Sequence, residues 1–162
     1  MPLNPDIAYK IVDMPTLQSR LNHWRAVGGR IVFTNGCFDI LHRGHVELLA
    51  QCRDYGDYVV LGLNSDTSVK KFKGDKRPLN DQQSRAIVLA ALSFVDAVII
   101  FNEDTPLELL TEIKPDILVK GGDYKADEIV GADLIRQNGG EVRIVPLVEG
   151  YSTTAVVNKG NF

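Results

Sequence analysis

Apolar positions recur along the chain in two rhythms, and the two alternate. Leu17, Leu21, Trp24 and Val27 are spaced by three or four residues, which predicts a helix capped by Asp13, opened by Pro15 and stopped at Gly28 and Gly29. Short, mainly apolar runs rich in Val and Ile follow over 30–34, 57–63, 96–101, 116–120 and 141–148, and these predict five strands. Helical spacing returns between them, over 45–56, 81–92 with Asn80 as its cap, 105–113 and within 127–140. The polar stretch 64–80 reads as a short helix running into a loop, and 152–159 as a last short helix.

Strands buried on both faces, each followed by a helix, predict an α/β fold. The expected form is a Rossmann-like, doubly wound, five-stranded parallel sheet in the order 3-2-1-4-5, with helices on both faces. Ligands of such sheets bind beyond the carboxyl ends of the strands, where the strand order reverses. That reversal lies beside the first strand, so the loop after it becomes a candidate site on topology alone.

Length and charge narrow the class. The chain has 162 residues, suiting one domain over 1–162, and carries a net charge of −3. Its pI of about 5.6 argues against a general nucleic-acid binder. Two cysteines, Cys37 and Cys52, are too few for a disulfide framework or a zinc finger and suit a reducing cytoplasm. No apolar run approaches the roughly 18 residues of a membrane span, and the N-terminus lacks a signal core.

The loop after the first strand reads "NGCFDILHRGH", residues 35–45. His42 and His45 stand three apart at the start of a helix, near Gly44 or His45, so both can face one ligand. The first N–H groups of a helix carry partial positive charge and bind anions, phosphate above all. Gly44 lets a ligand come close to the backbone. A zinc pair lacks a third ligand at sensible spacing, and packing histidines without chemistry are the plainer alternative. Physically this is a phosphate-transfer constellation with no evident protein nucleophile.

"GCFDILHRGH" resembles the signature of the nucleotidyltransferases that carry an HxGH motif. The likeness continues through "LNSD", "KGDKRPLN", "DILVKGGDY" and "EGYSTT", in order, from about Arg30 to Lys159. Together these segments resemble the adenylyltransferase domain of ADP-heptose synthase, in the stand-alone form without a fused sugar kinase. Residues 30–159 are then the matching core, and 1–29 an N-terminal extension and helix. The resemblance implies catalytic roles for His42, His45 and a lysine of the loop. It implies nucleotide binding by Thr34, Asn35, Gly36, Phe38 and Gly44.

The other motifs carry plainer readings beside the functional ones. Lys70, Lys71, Lys73, Lys76 and Arg77 form a basic run that solvation alone would explain. In the family one lysine closes over the triphosphate, and Lys73 beside the hinge residue Gly74 is the choice. Lys120, Gly121, Gly122 and Asp123 form either a tight turn or, as the family implies, a nucleotide contact. Ser152, Thr153 and Thr154 either cap a helix or hold phosphate and ribose. The cytidylyltransferase relatives place an arginine before that motif where Leu147 stands here. Arg85 is an exposed helix arginine or, by resemblance, an acceptor-phosphate ligand. Asp39 could orient a histidine, contact sugar hydroxyls or shape a turn; the resemblance gives it to the acceptor.

The implied reaction is adenylyl transfer from ATP to D-glycero-β-D-manno-heptose 1-phosphate, releasing pyrophosphate, for lipopolysaccharide core synthesis. Mg²⁺ would be held mainly by the nucleotide phosphates, with no protein metal site. A separate sugar kinase and phosphatase would act upstream. Nucleic acid and membrane are not expected partners, and homo-oligomerisation stays open. A relative using glycerol 3-phosphate with CTP, or FMN with ATP, would share every motif.

Overall fold

The central strands are apolar along most of their length because both faces of the sheet are covered, while the edge strand Glu141–Val145 alternates, with Glu141 and Arg143 exposed. In the computed structural model, which describes residues 2–146 together with Val148, Gly150, Tyr151, Thr153 and Val156, five strands form one parallel sheet in the order β3-β2-β1-β4-β5. They are β1 (Ile31–Gly36), β2 (Tyr58–Asn64), β3 (Ala97–Phe101), β4 (Ile117–Gly121) and β5 (Glu141–Val145). Class and strand order agree with the expectation from sequence. The helices are α1 (Pro5–Ala8), α2 (Met14–Ala26), α3 (Arg43–Tyr55), α4 (Asp66–Lys73), α5 (Gln82–Ala90), α6 (Leu107–Ile113) and α7 (Ala132–Gln137).

Successive strand residues point to opposite faces. Ile31, Phe33, Val60, Ala97, Ile99 and Leu118 pack against α2, α6 and α7 through Leu17, Leu21, Leu110, Ile113 and Ile135. Leu61, Leu63 and Val98 meet Leu49 of α3 and Leu89 of α5 on the other face, while Val32, Val59 and Val119 surround Cys52 of α3. The N-terminal helix α2 is therefore part of the same core as the sheet. The segment before it runs along β3, with the Val12 N–H donating to Val98 O at 3.0 Å and the Val98 N–H to Lys10 O at 2.8 Å.

The amino ends of the strands are closed by aspartates. Asp57 accepts from the Arg30 N–H at 2.8 Å, Asp116 from the Ile31 N–H at 2.7 Å and Asp96 from the Val59 N–H at 2.7 Å. These carboxylates satisfy strand-end donors that would otherwise lack partners. The carboxyl ends are left for a ligand.

Three local expectations differ. Asp81, not Asn80, caps α5, accepting from the Ser84 N–H at 2.8 Å. Asn80 is engaged elsewhere, its amide donating to Asp39 O at 2.7 Å. Strand β5 ends at Val145 rather than continuing to 148, because Pro146 has no N–H for the ladder. Helix α3 begins at Arg43, with His42 extended at φ −137° as its cap residue. The expected helix over 152–159 lies outside the described residues apart from Thr153 and Val156.

Candidate active site

At the carboxyl end of β1 the chain leaves the sheet at Gly36 and reaches α3 through Cys37–His42. Phe38 turns the chain with φ 45°, a left-handed conformation that costs a residue with a side chain about 1 kcal/mol. The turn folds the Phe38 ring under His45, with centroids 4.9 Å apart. His42 and His45 then stack on each other at 3.7 Å, their planes 21° apart. Gly44 eases this pairing, because a Cβ there would sit 3.2 Å from the His42 ring and press it aside.

The His42 carbonyl accepts the first helical bonds, from the His45 N–H at 2.9 Å and the Val46 N–H at 3.2 Å. The Arg43 and Gly44 N–H groups precede these bonds and have no intrahelical partner, and Gly44 lines the open cleft. The cleft has a volume of about 410 Å³. One wall is β1 and α3, with Asn35, Gly36, His42 and His45. The facing wall is β4 and the residues after β5, with Lys120, Gly121, Pro146, Tyr151 and Thr153; Lys73 reaches in from α4. Among the described residues no carboxylate lines it.

The charge state follows from burial. Loss of solvent pushes the His45 imidazolium down to about 4, helped by His42 and Lys73 beside it. Burial lowers His42 as well. Both imidazoles are thus neutral at pH 7 before an anion arrives. Their Nδ1 atoms are buried and make no hydrogen bond among the described residues. Arriving phosphate would reverse the cost of charging them. The site can neutralise a polyphosphate and hold it in line, and it offers no covalent nucleophile.

A second cavity of about 390 Å³ opens beside the first, over the ends of β2 and β3. Asn35, Cys37, Lys120 and Tyr124 line both. The second adds Asp104, Glu128, Asn64, Thr105 and the ring of Phe72.

The structure gathers His42, His45, Lys73, Asn35, Gly36, Phe38, Gly44, Lys120, Gly121 and Thr153 around one cleft. It does not bring Thr34, Gly122 or Asp123 to that wall. Thr34 lies within β1 at 1% exposure, Gly122 donates to Val145 O at 3.0 Å, and Asp123 is exposed. Ser152 and Thr154 lie outside the described residues.

Asp39 and Arg85, given to the acceptor by resemblance, are each only 2% exposed and face protein groups. Asp39 holds the loop before α5, accepting from Arg77 Nε at 2.5 Å, the Leu79 N–H at 2.8 Å and the Asn80 N–H at 3.0 Å. Arg85 donates to Cys37 O at 2.6 Å, Asn64 O at 2.8 Å, Asn80 O at 3.0 Å and Asp66 at 2.7 Å. It ties the β1 turn, the end of β2 and the start of α4 together beneath both cavities. The helical spacing of Arg85 suggested an exposed arginine, and only the fold sinks it. The side chains of Tyr124 and Tyr151 also line the cleft. Their neighbours in "GGDY" and "EGYSTT" were the only signal.

Among the described residues no helix is long and apolar enough to cross a membrane, and no group of three or more His, Cys, Asp or Glu could hold a metal ion. Comparison with known proteins gives a match to the cytidylyltransferase-like family model over residues 33–159. The bifunctional protein HldE of Hyphomonas neptunium is 54% identical over 147 residues, 91% of this chain and 30% of that protein. HldE of Campylobacter concisus is 58% identical over 130 residues, 80% of this chain and 27% of that one. The chain thus spans less than a third of the length of these curated relatives. A crystal structure of the lipopolysaccharide core biosynthesis protein from Thermoplasma volcanium superposes with a TM-score of 0.60 at 33% identity, covering 77% of this chain and all (100%) of that one. Pantoate-beta-alanine ligase from Francisella tularensis shares the fold at 17% identity and a TM-score of 0.60, over 84% of this chain and 66% of that one.

Proposed function

Because the chain belongs to the cytidylyltransferase-like family of nucleotidyltransferases, we propose that it transfers the adenylyl group of ATP to D-glycero-β-D-manno-heptose 1-phosphate, giving ADP-heptose and pyrophosphate. The observation that carries this reading is the cleft of stacked imidazoles, helix N-terminus and lysines, with no carboxylate among its described lining residues. The heptose rests on the likeness of "LNSD", "KGDKRPLN" and "VKGGDY", supported by HldE relatives and a lipopolysaccharide core biosynthesis protein. The chain corresponds to under a third of a protein named as bifunctional, and one of two activities is what it would supply. A kinase and a phosphatase supply the acceptor, and the work is cytoplasmic.

The nucleophile is an oxygen of the acceptor phosphate. Its second pKa is near about 6, so at pH 7 it is already mostly dianionic and needs no strong base. The barrier is the approach of one anion to another. A new bond forms from that oxygen to the α-phosphorus, the bond to the bridging oxygen breaks, and pyrophosphate leaves with the electron pair. His42, His45 and the α3 N-terminus hold the α- and β-phosphates, and Lys73 approaches from α4 as charge builds on the leaving group. The acceptor lies in the second cavity. The donor set of the first cavity is imidazole, ammonium and amide, which suits phosphate better than Mg²⁺. Mg²⁺ therefore enters with the triphosphate as part of the substrate.

The test is pyrophosphate release with ATP, CTP and a panel of phosphorylated acceptors. We expect turnover with ATP and heptose 1-phosphate alone. Turnover with CTP and glycerol 3-phosphate, or with ATP and FMN, would replace the substrate and keep the site chemistry.

A further inference from the structure

Lys120 stands at the end of β4 where the two cavities meet, and it lines both. Its ammonium donates to Asn35 Oδ1 across the β1–β4 step. That is one bond for a group with three N–H donors. Among the described residues no carboxylate pairs with it, although the basic side chains of Lys71, Arg77 and Arg85 each have one. A partly buried cation without a counter-ion is costly, and burial draws this amine down to about 8. Among the described residues the Asn35 amide oxygen offsets only part of that cost; an anion in the cleft would offset the rest. The place is also chemically particular. If donor and acceptor occupy the two cavities, the new bond forms at the seam between them.

We propose that Lys120 is a catalytic residue whose ammonium bridges the α-phosphate of the nucleotide and the phosphate of the acceptor. The inference rests on the adenylyl-transfer reading for the second of these ligands only. The role differs from that of Lys73, which is exposed on α4. Lys120 is held by Asn35 before either substrate arrives, so it is pre-oriented and loses little freedom on binding. It keeps its proton throughout. As the acceptor oxygen closes on the α-phosphorus, repulsion between the anions grows, and so does their attraction to a cation between them.

A proton-linked signature follows. The titratable groups around Lys120 are Cys37 of the β1 turn, His42 and His45 of the α3 start, Lys73 of α4, Tyr124 after β4 and Tyr151. The second cavity adds Asp104 after β3 and Glu128 after β4. The imidazoles titrate well below Lys120, His45 near 4, so they do not contribute at pH 8. Bound phosphate raises the Lys120 pKa above its free value. Binding strength is then complete below about pH 8 and is lost as pH rises through it, at up to tenfold per unit.

The experiment is calorimetric titration of the full chain with α,β-methylene-ATP and Mg²⁺ at pH 7 to 9.5, in buffers of different ionisation enthalpy. Heptose 1-phosphate is then titrated into the saturated complex. We expect proton uptake near pH 8.5 and affinity that weakens from pH 8 to 9.5. Lys120→Arg should bind with neither effect. Lys120→Met should lose at least tenfold in affinity for both ligands, and turnover should fall about 10²- to 10³-fold, as for loss of one preorganised donor. No proton uptake by the wild type, or the same pH dependence in Lys120→Arg, would overturn the proposal, and the wild-type measurement stands even if a variant does not fold. Loss of affinity for the nucleotide alone would overturn the bridge. Failure of the wild type to bind heptose 1-phosphate, with the nucleotide signature intact, would instead remove the acceptor reading.

Discussion

The two cavities at the carboxyl edge of the sheet are nearly equal in volume, about 410 and 390 Å³, and opposite in chemistry. The first is lined by imidazoles, lysines and helix N–H groups. The second holds Asp104 and Glu128, the amide of Asn64, and the rings of Phe72 and Tyr124. Carboxylates would repel a triphosphate, and they accept hydrogen bonds from hydroxyl groups. Aromatic faces cover the C–H surface of a sugar. The difference suits polyphosphate to the first cavity and sugar hydroxyls to the second, and Lys120 with Asn35 marks the boundary, where the acceptor phosphate would lie. The ends of β1 and β4 serve both cavities, that of β5 the first and that of β2 the second, so the division is built into the order β3-β2-β1-β4-β5.

The comparison breaks most severely at Arg85, which underlies both cavities. Removing its guanidinium leaves three carbonyls and the Asp66 carboxylate without their donor. Breaking a buried pair of this kind costs about 3–5 kcal/mol. Arg85→Met should lower the urea midpoint accordingly and weaken both ligands; a loss confined to one ligand would show that Arg85 serves one cavity alone.

His45 belongs to the first cavity only. His45→Ala should lower kcat about 10²- to 10³-fold, about 3–4 kcal/mol in the transition state. ATP affinity should stay within about tenfold, because the contact strengthens as the reaction proceeds. Steady-state kinetics with direct nucleotide binding will separate the two, and near-normal turnover would remove His45 from the chemistry.

The same residue should leave a mark on stability. The His45 pKa is about 4 in the folded chain and about 6.5 when unfolded. Between those values the unfolded chain binds a proton that the native state does not. Stability therefore falls as pH drops from 6.5 towards 4, by up to about 3 kcal/mol from this group. His45→Gln cannot titrate, so its urea midpoint should decline less over that window. Parallel declines would mean that the imidazole charges freely in the fold.

The smallest effect should sharpen the boundary from the other side. Asp104→Asn and Glu128→Gln keep shape and remove charge from the second cavity. Each should raise the acceptor KM several-fold, about 1 kcal/mol, and leave nucleotide binding unchanged. Asp104 also pairs with Lys71 at 2.9 Å, an exposed ion pair of little worth to the fold. A change in nucleotide affinity instead would mean that the cavities are not separate in function.

What the sequence alone determined was everything that follows from spacing along the chain. Short Val- and Ile-rich runs alternating with helical periodicity specify a doubly wound parallel sheet, because strands buried on both faces lack the polar alternation that only the edge strand β5 shows. The local motif "HRGH" brings His42 and His45 to one helix start, since residues three apart share a helix face. Asp57, Asp96 and Asp116 each stand beside the start of a strand in the sequence, but the N–H groups they accept from lie at the start of the neighbouring strand, which only the sheet order supplies. The tertiary structure decided what depends on meetings between distant segments. Asn35 and Lys120 lie 85 positions apart and touch because β1 and β4 are neighbours at the reversal of strand order. Asp39 and Arg85 resemble surface ligands in sequence, and they are interior because the 77–81 loop folds over the β1 turn. A side chain's polar partners, its burial and hence its charge are set by the whole packed chain, and no local rule carries that information.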